Sequence, residues 1–134
     1  RDMRHIKVVC AVVVYDGRIL CMRRPLRGSV STAGKWEFPG GKIERGEKPE
    51  QALARELLEE MDYVVTVVKP LMTVKHNYHD FSLSLQTYLC QADTTEFNRK
   101  EHIDHCWLLP EELPSLDWAE ADHEIIDTLS KGKF

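Results

Sequence analysis

A layered α/β fold with a mixed β-sheet, formed by one domain spanning residues 1–134, is what this sequence predicts. Three observations carry that expectation. Strand-like apolar segments lie on both sides of one long amphipathic helix, which needs a sheet to cover it. The first strand segment is apolar on both alternating faces, so something must cover it on each side. A second helical segment closes the chain. At 134 residues, 43% apolar and 30% charged, the chain has the length and composition to bury a core without staples.

The elements follow in order. "IKVVCAVVVY" (6–15) is a β-branched strand, and Asp16-Gly17 after it is a hairpin signal, so "RILCMRR" (18–24) returns antiparallel. Residues 25–35 ("PLRGSVSTAGK") carry Gly, Ser, Thr and Pro and form a loop. "WEFPGGKIERGE" (36–47) is a short strand breaking into a second glycine-bearing loop. Pro49 suits the first position of a helix running to about Asp62, with Leu53, Leu57 and Met61 as its buried stripe. Lys48 is an indifferent N-cap, so that helix leans on tertiary packing. "YVVTVVKPLMTVKH" (63–76) and "FSLSLQTYLCQA" (81–92) are strands joined by a turn at 77–80. A polar loop (92–101) leads to a last strand, "HIDHCWLL" (102–109). Pro110–Leu113 is a short turn of helix, and "DHEIIDTLSK" (122–131) is the closing helix.

Bulk properties exclude several functions. A formal charge of -4 argues against a general binder of duplex nucleic acid, which needs a basic face, yet permits a small anionic ligand. The longest apolar run, Val8–Tyr15, is too short to span a bilayer. Cys10, Cys21, Cys90 and Cys106 are widely spaced and form no CxxC pair, which favours reduced thiols in a cytoplasmic protein over zinc ligation. The chain begins Arg1-Asp2 without a methionine, so its true start is expected to be altered or missing.

The chemistry concentrates in "RELLEE" (55–60). On a helix, Glu56, Glu59 and Glu60 group on the face away from the apolar stripe, and like charges at that spacing repel by about 0.2–0.5 kcal/mol per pair. A hard divalent cation relieves such crowding, because it takes carboxylate and carbonyl oxygens and then binds phosphate. Arg55 is placed to orient a carboxylate, and Gly40-Gly41 allows a ligand to approach bare backbone. The alternative is a solvated acidic face.

From Gly41 the chain reads Gly, five residues, Glu47, seven residues, Arg55-Glu56-Leu57, one residue, Glu59-Glu60. This resembles the signature of the Nudix hydrolases, G-x5-E-x7-R-E-U-x-E-E-x-G-U with U apolar. Seven of the nine specified positions match outright, and Tyr63 is a passable final U. The departure is Asp62 in place of glycine, a residue that tolerates left-handed backbone better than most. "WEFPGGKIERGEKPEQALARELLEE", "MRRP" and the tail "EH…W…PEEL…WAEADHEII" are similar to the MutT-like branch, especially its CTP pyrophosphohydrolase members.

That resemblance implies a Nudix-type α/β/α sandwich and a nucleoside triphosphate pyrophosphohydrolase using Mg²⁺ or Mn²⁺, which releases a nucleoside monophosphate and pyrophosphate. It implies metal ligands at Glu56, Glu59, Glu60 and the Gly40 carbonyl, with Arg55 positioning Glu47 or a neighbour. Arg24 corresponds to a phosphate-binding arginine, and Glu101 to a late carboxylate that approaches the metals. Asp122 corresponds to the residue that reads the base edge; as an ionised acceptor it suits cytosine or guanine, and it is equally a candidate N-cap for the last helix. Phe38 is a candidate stacking residue or a core aromatic. His102 is a weaker candidate base, Trp36, Trp107 and Trp118 are expected to pack, and His76, His79 and Asp80 to form a turn. The partner expected is a small-molecule nucleotide, with the chain a monomer or homodimer. Other readings are hydrolysis of another nucleoside diphosphate derivative, such as a sugar or dinucleoside compound, and a non-catalytic nucleotide sensor; the intact acidic positions weigh against the sensor.

Overall fold

The computed structural model describes residues 4–132 and 134; the expected alteration at Arg1-Asp2 lies outside them. Strands β1 (His5–Tyr15) and β2 (Arg18–Arg23) form the expected hairpin. Asp16 and Gly17 both take positive φ, 50° and 77°, the backbone that a tight two-residue turn requires. Two short strands follow, β3 (Trp36–Glu37) and β4 (Gly40–Lys42), then helix α1 (Pro49–Met61). The long antiparallel pair β5 (Thr66–Asn77) and β6 (Ser82–Gln91) precedes β7 (Asp104–Leu108). Two 3-10 turns, Pro110–Ser115 and Glu120–Asp122, lead into helix α2 (His123–Ser130).

All seven strands belong to one mixed sheet. Its path runs β3-β2-β1-β6-β5, with β7 on β2 and β4 on β1. The β1–β6 pairing is parallel, from His5↔Ser82 to Val14↔Gln91, and the remaining pairings are antiparallel. β2 leaves β1 soon after the turn, and β4 takes its place beside Val8–Cys10.

The alternation of β1 divides the core in two. Val9, Ala11 and Val13 face Ala52, Leu53, Leu57 and Met61 of α1. Cys10 and Val12 face Ile125, Ile126 and Leu129 of α2. Each fully buried leucine or isoleucine contributes about 1.5–3 kcal/mol of transfer free energy. The sheet between two helical layers is the α/β/α sandwich expected, and β1 is covered on both faces for the reason its sequence indicated.

Two strand starts fall two or more residues later than the sequence reading. The 63–76 segment becomes strand only at Thr66, because Tyr63 is buried against α1 and its hydroxyl donates to the Thr94 carbonyl at 2.6 Å. The 102–109 segment pairs only from Asp104, since the Ile103 N–H bonds the Arg23 carbonyl and the His102 ring turns inward. Pro70 sits in β5, an edge strand that pairs with β6 alone and absorbs it through register shifts at Val67/Lys69 and Pro70/Met72. Among the described residues, no helix is long and apolar enough to cross a membrane.

Candidate active site

α1 is prepared for its role by its ends. Pro49 occupies its first turn, and the Lys48 N–H is taken by Gln51 Oε1 at 3.1 Å rather than left to solvent. At the other end Asp62 adopts φ 50°, ψ 39°, the left-handed cap. The amides of Asp62 and Tyr63 reach the carbonyls of Leu58 and Leu57. Asp62 also accepts from Asn98 Nδ2 at 2.6 Å and Lys100 Nζ at 3.2 Å. The aspartate that replaces the signature glycine thus fastens the 94–103 loop to the helix.

Arg55 gathers the acidic groups. Its Nε and Nη2 donate to Glu47 at 2.7 and 3.0 Å, and its Nη1 donates to Glu56 and Glu59, each at 3.0 Å. Nη2 also bonds the Lys42 carbonyl at 3.1 Å, which ties the helix to the glycine loop. The hydrogen bond from Arg55, helped by the Glu44 amide, lowers the Glu47 carboxyl pKa. Glu56 is shifted the other way: burial raises its pKa, Arg55 opposes, and Glu60 and Glu59 add to the rise.

Glycine is required at position 40, and at position 41 it leaves room for an acidic side chain of this cluster. A Cβ on Gly41 would collide with the Glu56 carboxyl, and one on Gly40 would collide with the Val9 carbonyl. Glu56 therefore lies directly over bare backbone. Gly40 and Gly41 in turn form part of the wall of a cavity of about 1010 Å³. Among the described residues Glu60 has no hydrogen-bond or ion-pair partner, and no three acidic, histidine or cysteine side chains converge into a ready metal cage. Arg55 explains the second point by drawing Glu47, Glu56 and Glu59 toward itself. Crowded carboxylates, a side chain pushed toward protonation and an adjacent bare-backbone loop fit a hard divalent ion that shares its coordination with substrate oxygens.

The cavity collects Arg24, Phe38 and Asp122. Arg24 Nη1 contacts Glu37 Oε1 at 3.4 Å, and Arg24 Nε is buried without a hydrogen-bond partner. Phe38 is 3% exposed and packs on Trp118 at 4.8 Å between ring centroids, so it is both core and cavity wall.

Asp122 corrects two expectations. It precedes α2, but with φ -88°, ψ -10° its side chain makes no capping bond; it points into the molecule instead. It is 4% exposed, and burial, reinforced by Glu37 and opposed by Arg24, raises its pKa well above the ordinary carboxylate range. Burial thus shifts this carboxyl toward its neutral form, which donates as well as accepts, and away from the plain anionic acceptor that the resemblance implies.

Among the described residues, Glu101 makes no hydrogen bond or ion pair with the ridge. It is exposed, and its ion-pair partner is Arg27 at 4.0 Å. His102 beside it is nearly buried, and its Nε2 lies 2.8 Å from Glu37 Oε2. Sequence reasoning passed over Glu37; a charged residue flanked by Trp36 and Phe38 was the available signal. Trp118 packs as expected and donates to the Leu113 carbonyl at 2.7 Å. His79 and Asp80 lie in the expected turn, and His76 lies just before it on β5. All four cysteines are free thiols.

An α/β/α sandwich whose carboxylate-rich helix borders a cavity through a glycine pair is a layout that can hold a divalent ion beside an anionic small molecule. The family model of the NUDIX domain matches residues 8–128, and the chain belongs to that family of hydrolases, enzymes that generally use divalent metals. It is 33% identical to a CTP pyrophosphohydrolase of Escherichia coli over 93% of this chain and 91% of that protein. It is 39% identical to an 8-oxo-dGTP diphosphatase of Proteus vulgaris over 69% of this chain and 83% of that one. The crystal structure of a MutT protein from Methanosarcina mazei shares the fold, with a TM-score of 0.86 at 21% identity, covering 98% of this chain and 97% of that one.

Proposed function

We propose that this single Nudix domain hydrolyses nucleoside triphosphates to monophosphate and pyrophosphate, with cytosine nucleotides preferred over oxidised guanine nucleotides. One observation carries the reading: the acidic ridge ordered by Arg55 meets, at Gly40-Gly41, a cavity that contains both a cation with an unused donor and a buried carboxyl. The first suits phosphate and the second a base.

In this reading Glu56, Glu59, Glu60 and the Gly40 carbonyl hold Mg²⁺ or Mn²⁺. When bound, the ion supplies Lewis-acid activation of phosphorus and lowers the pKa of water. Arg55 holds Glu56 and Glu59 in place and keeps Glu47 ionised. Arg24 binds phosphate oxygens. Glu56, whose pKa is raised by burial, is the candidate to orient the attacking water and take its proton. Glu101 remains a candidate late carboxylate that would have to leave Arg27. Phe38 forms part of the wall beside the base.

Asp122 favours the cytosine choice. Burial shifts its carboxyl toward the protonated form, which matches an edge with a donor beside an acceptor, as in cytosine N4–H₂ and N3; guanine's paired N1–H and N2–H₂ donors suit an anion better. The E. coli relative named a CTP pyrophosphohydrolase supports the same choice, and the P. vulgaris relative supports the guanine alternative.

The test is pyrophosphate release with Mg²⁺ or Mn²⁺ across cytosine, guanine, 8-oxoguanine and methylated-base triphosphates, beside Glu60→Gln. The expected result is fastest turnover of a cytosine nucleotide. Glu60→Gln should lose about 100-fold or more in kcat/KM, roughly 3 kcal/mol of transition-state stabilisation, with an unchanged fold. No turnover of any triphosphate would reject the reading and leave hydrolysis of another nucleoside diphosphate derivative, or a non-catalytic nucleotide sensor.

A further inference from the structure

We propose that His102 is a positioning residue for phosphate binding: it holds Glu37 so that Glu37 cannot close on Arg24. The inference rests on the phosphate role given to Arg24 above. Glu37 accepts on both oxygens, from His102 Nε2–H at 2.8 Å and from Arg24 Nη1 at 3.4 Å. The shorter bond fixes the carboxylate, and the longer one leaves Arg24 only loosely engaged. The His102 side chain is 10% exposed, against 25% for Glu37 and 31% for Arg24. The Ile103 N–H to Arg23 carbonyl bond, 3.0 Å, sets the approach of the ring.

A carboxylate free to rotate takes an arginine with both oxygens, the strong bidentate geometry, and occupies the fork that a phosphate would use. Here the second oxygen is already committed to His102. Among the described residues, Arg24 Nε on the other edge of the guanidinium is also buried and unpaired, so two edges of the cation are under-used. An anionic oxygen of the substrate is the acceptor this arrangement awaits. His102 therefore acts through Glu37 and needs no proton transfer of its own.

The experiment is calorimetric binding of the α,β-methylene analogue of CTP with Mg²⁺, which reads affinity without turnover. It uses wild type, His102→Ala, His102→Gln, Glu37→Gln, Arg24→Ala and the double variant His102→Ala with Glu37→Gln, with thermal melts as the fold control. His102→Ala should weaken binding about ten-fold. His102→Gln, which retains a donor, should bind near wild type. The double variant should bind more tightly than His102→Ala alone, because glutamine competes poorly for a guanidinium. That sign reversal is the signature; a packing defect would instead deepen with a second substitution. If Arg24→Ala weakens binding while His102→Ala does not, or if the double variant binds no better than His102→Ala, the positioning role is wrong and the phosphate role stands. If Arg24→Ala binds like wild type, both are wrong.

Discussion

Arg55 offers one guanidinium to three carboxylates and a backbone carbonyl: Nε and Nη2 engage Glu47, Nη2 also the Lys42 carbonyl, and Nη1 both Glu56 and Glu59. A lysine has one ammonium and cannot reproduce that planar fork. Repulsion along Glu56, Glu59 and Glu60 is thereby offset on one flank and left standing at Glu60. Asp122 is the opposite case, a carboxyl with burial as its main influence. Its folded pKa is raised, so the unfolded chain releases this proton first. Its penalty is absent below the unfolded pKa of about 3.9 and grows as pH rises from there to the folded value. Asp122→Asn should therefore leave Tm nearly unchanged at pH 4 and raise it at pH 7. Differential scanning calorimetry at both values checks this, and a lower Tm at pH 7 would show that the carboxylate is stabilised by a partner instead.

Among elements, α1 shows how far local spacing carries. Its N-terminal proline, apolar stripe and acidic face are all encoded within 13 residues, and each lies where the periodicity puts it. The meeting of Glu37 with His102 is different. They stand 65 positions apart, joined only because β2 pairs with β3 on one side and β7 on the other. No single-segment pattern contains that pairing, and the burial of Asp122 is hidden for the same reason. The helix end lies between these cases. That Asp62 would take left-handed backbone was legible; that it would bind Asn98 and Lys100 was not. Asp62→Gly relieves a positive φ while losing exposed contacts to Asn98 and Lys100, two small effects of opposite sign. Stability by urea denaturation should stay within about 1 kcal/mol and turnover should be unchanged; inactivation would mean that this tether serves the reaction.

For the molecule as a whole, the sandwich was foreseeable because β1 needed cover on both faces and the chain offered a helix for each. The cavity was not, since its wall draws on β1, the two glycine loops, the 78–81 turn and the 3-10 turn before α2. The loops are held unequally. The 94–103 stretch, outside the cavity wall, is fastened at Asp62, at the Arg23 carbonyl and at Glu37. In the wall itself, Ser29 meets Asp80 through one exposed bond of 3.0 Å, beside Leu26 and Val30, which are 75% and 94% exposed. Traffic in and out should therefore pass between Ser29 and Asp80, the lightly latched side of the doorway. Amide hydrogens of residues 26–31 should exchange with deuterium well before those of 98 and 103, and should be the ones slowed when a nucleotide occupies the interior.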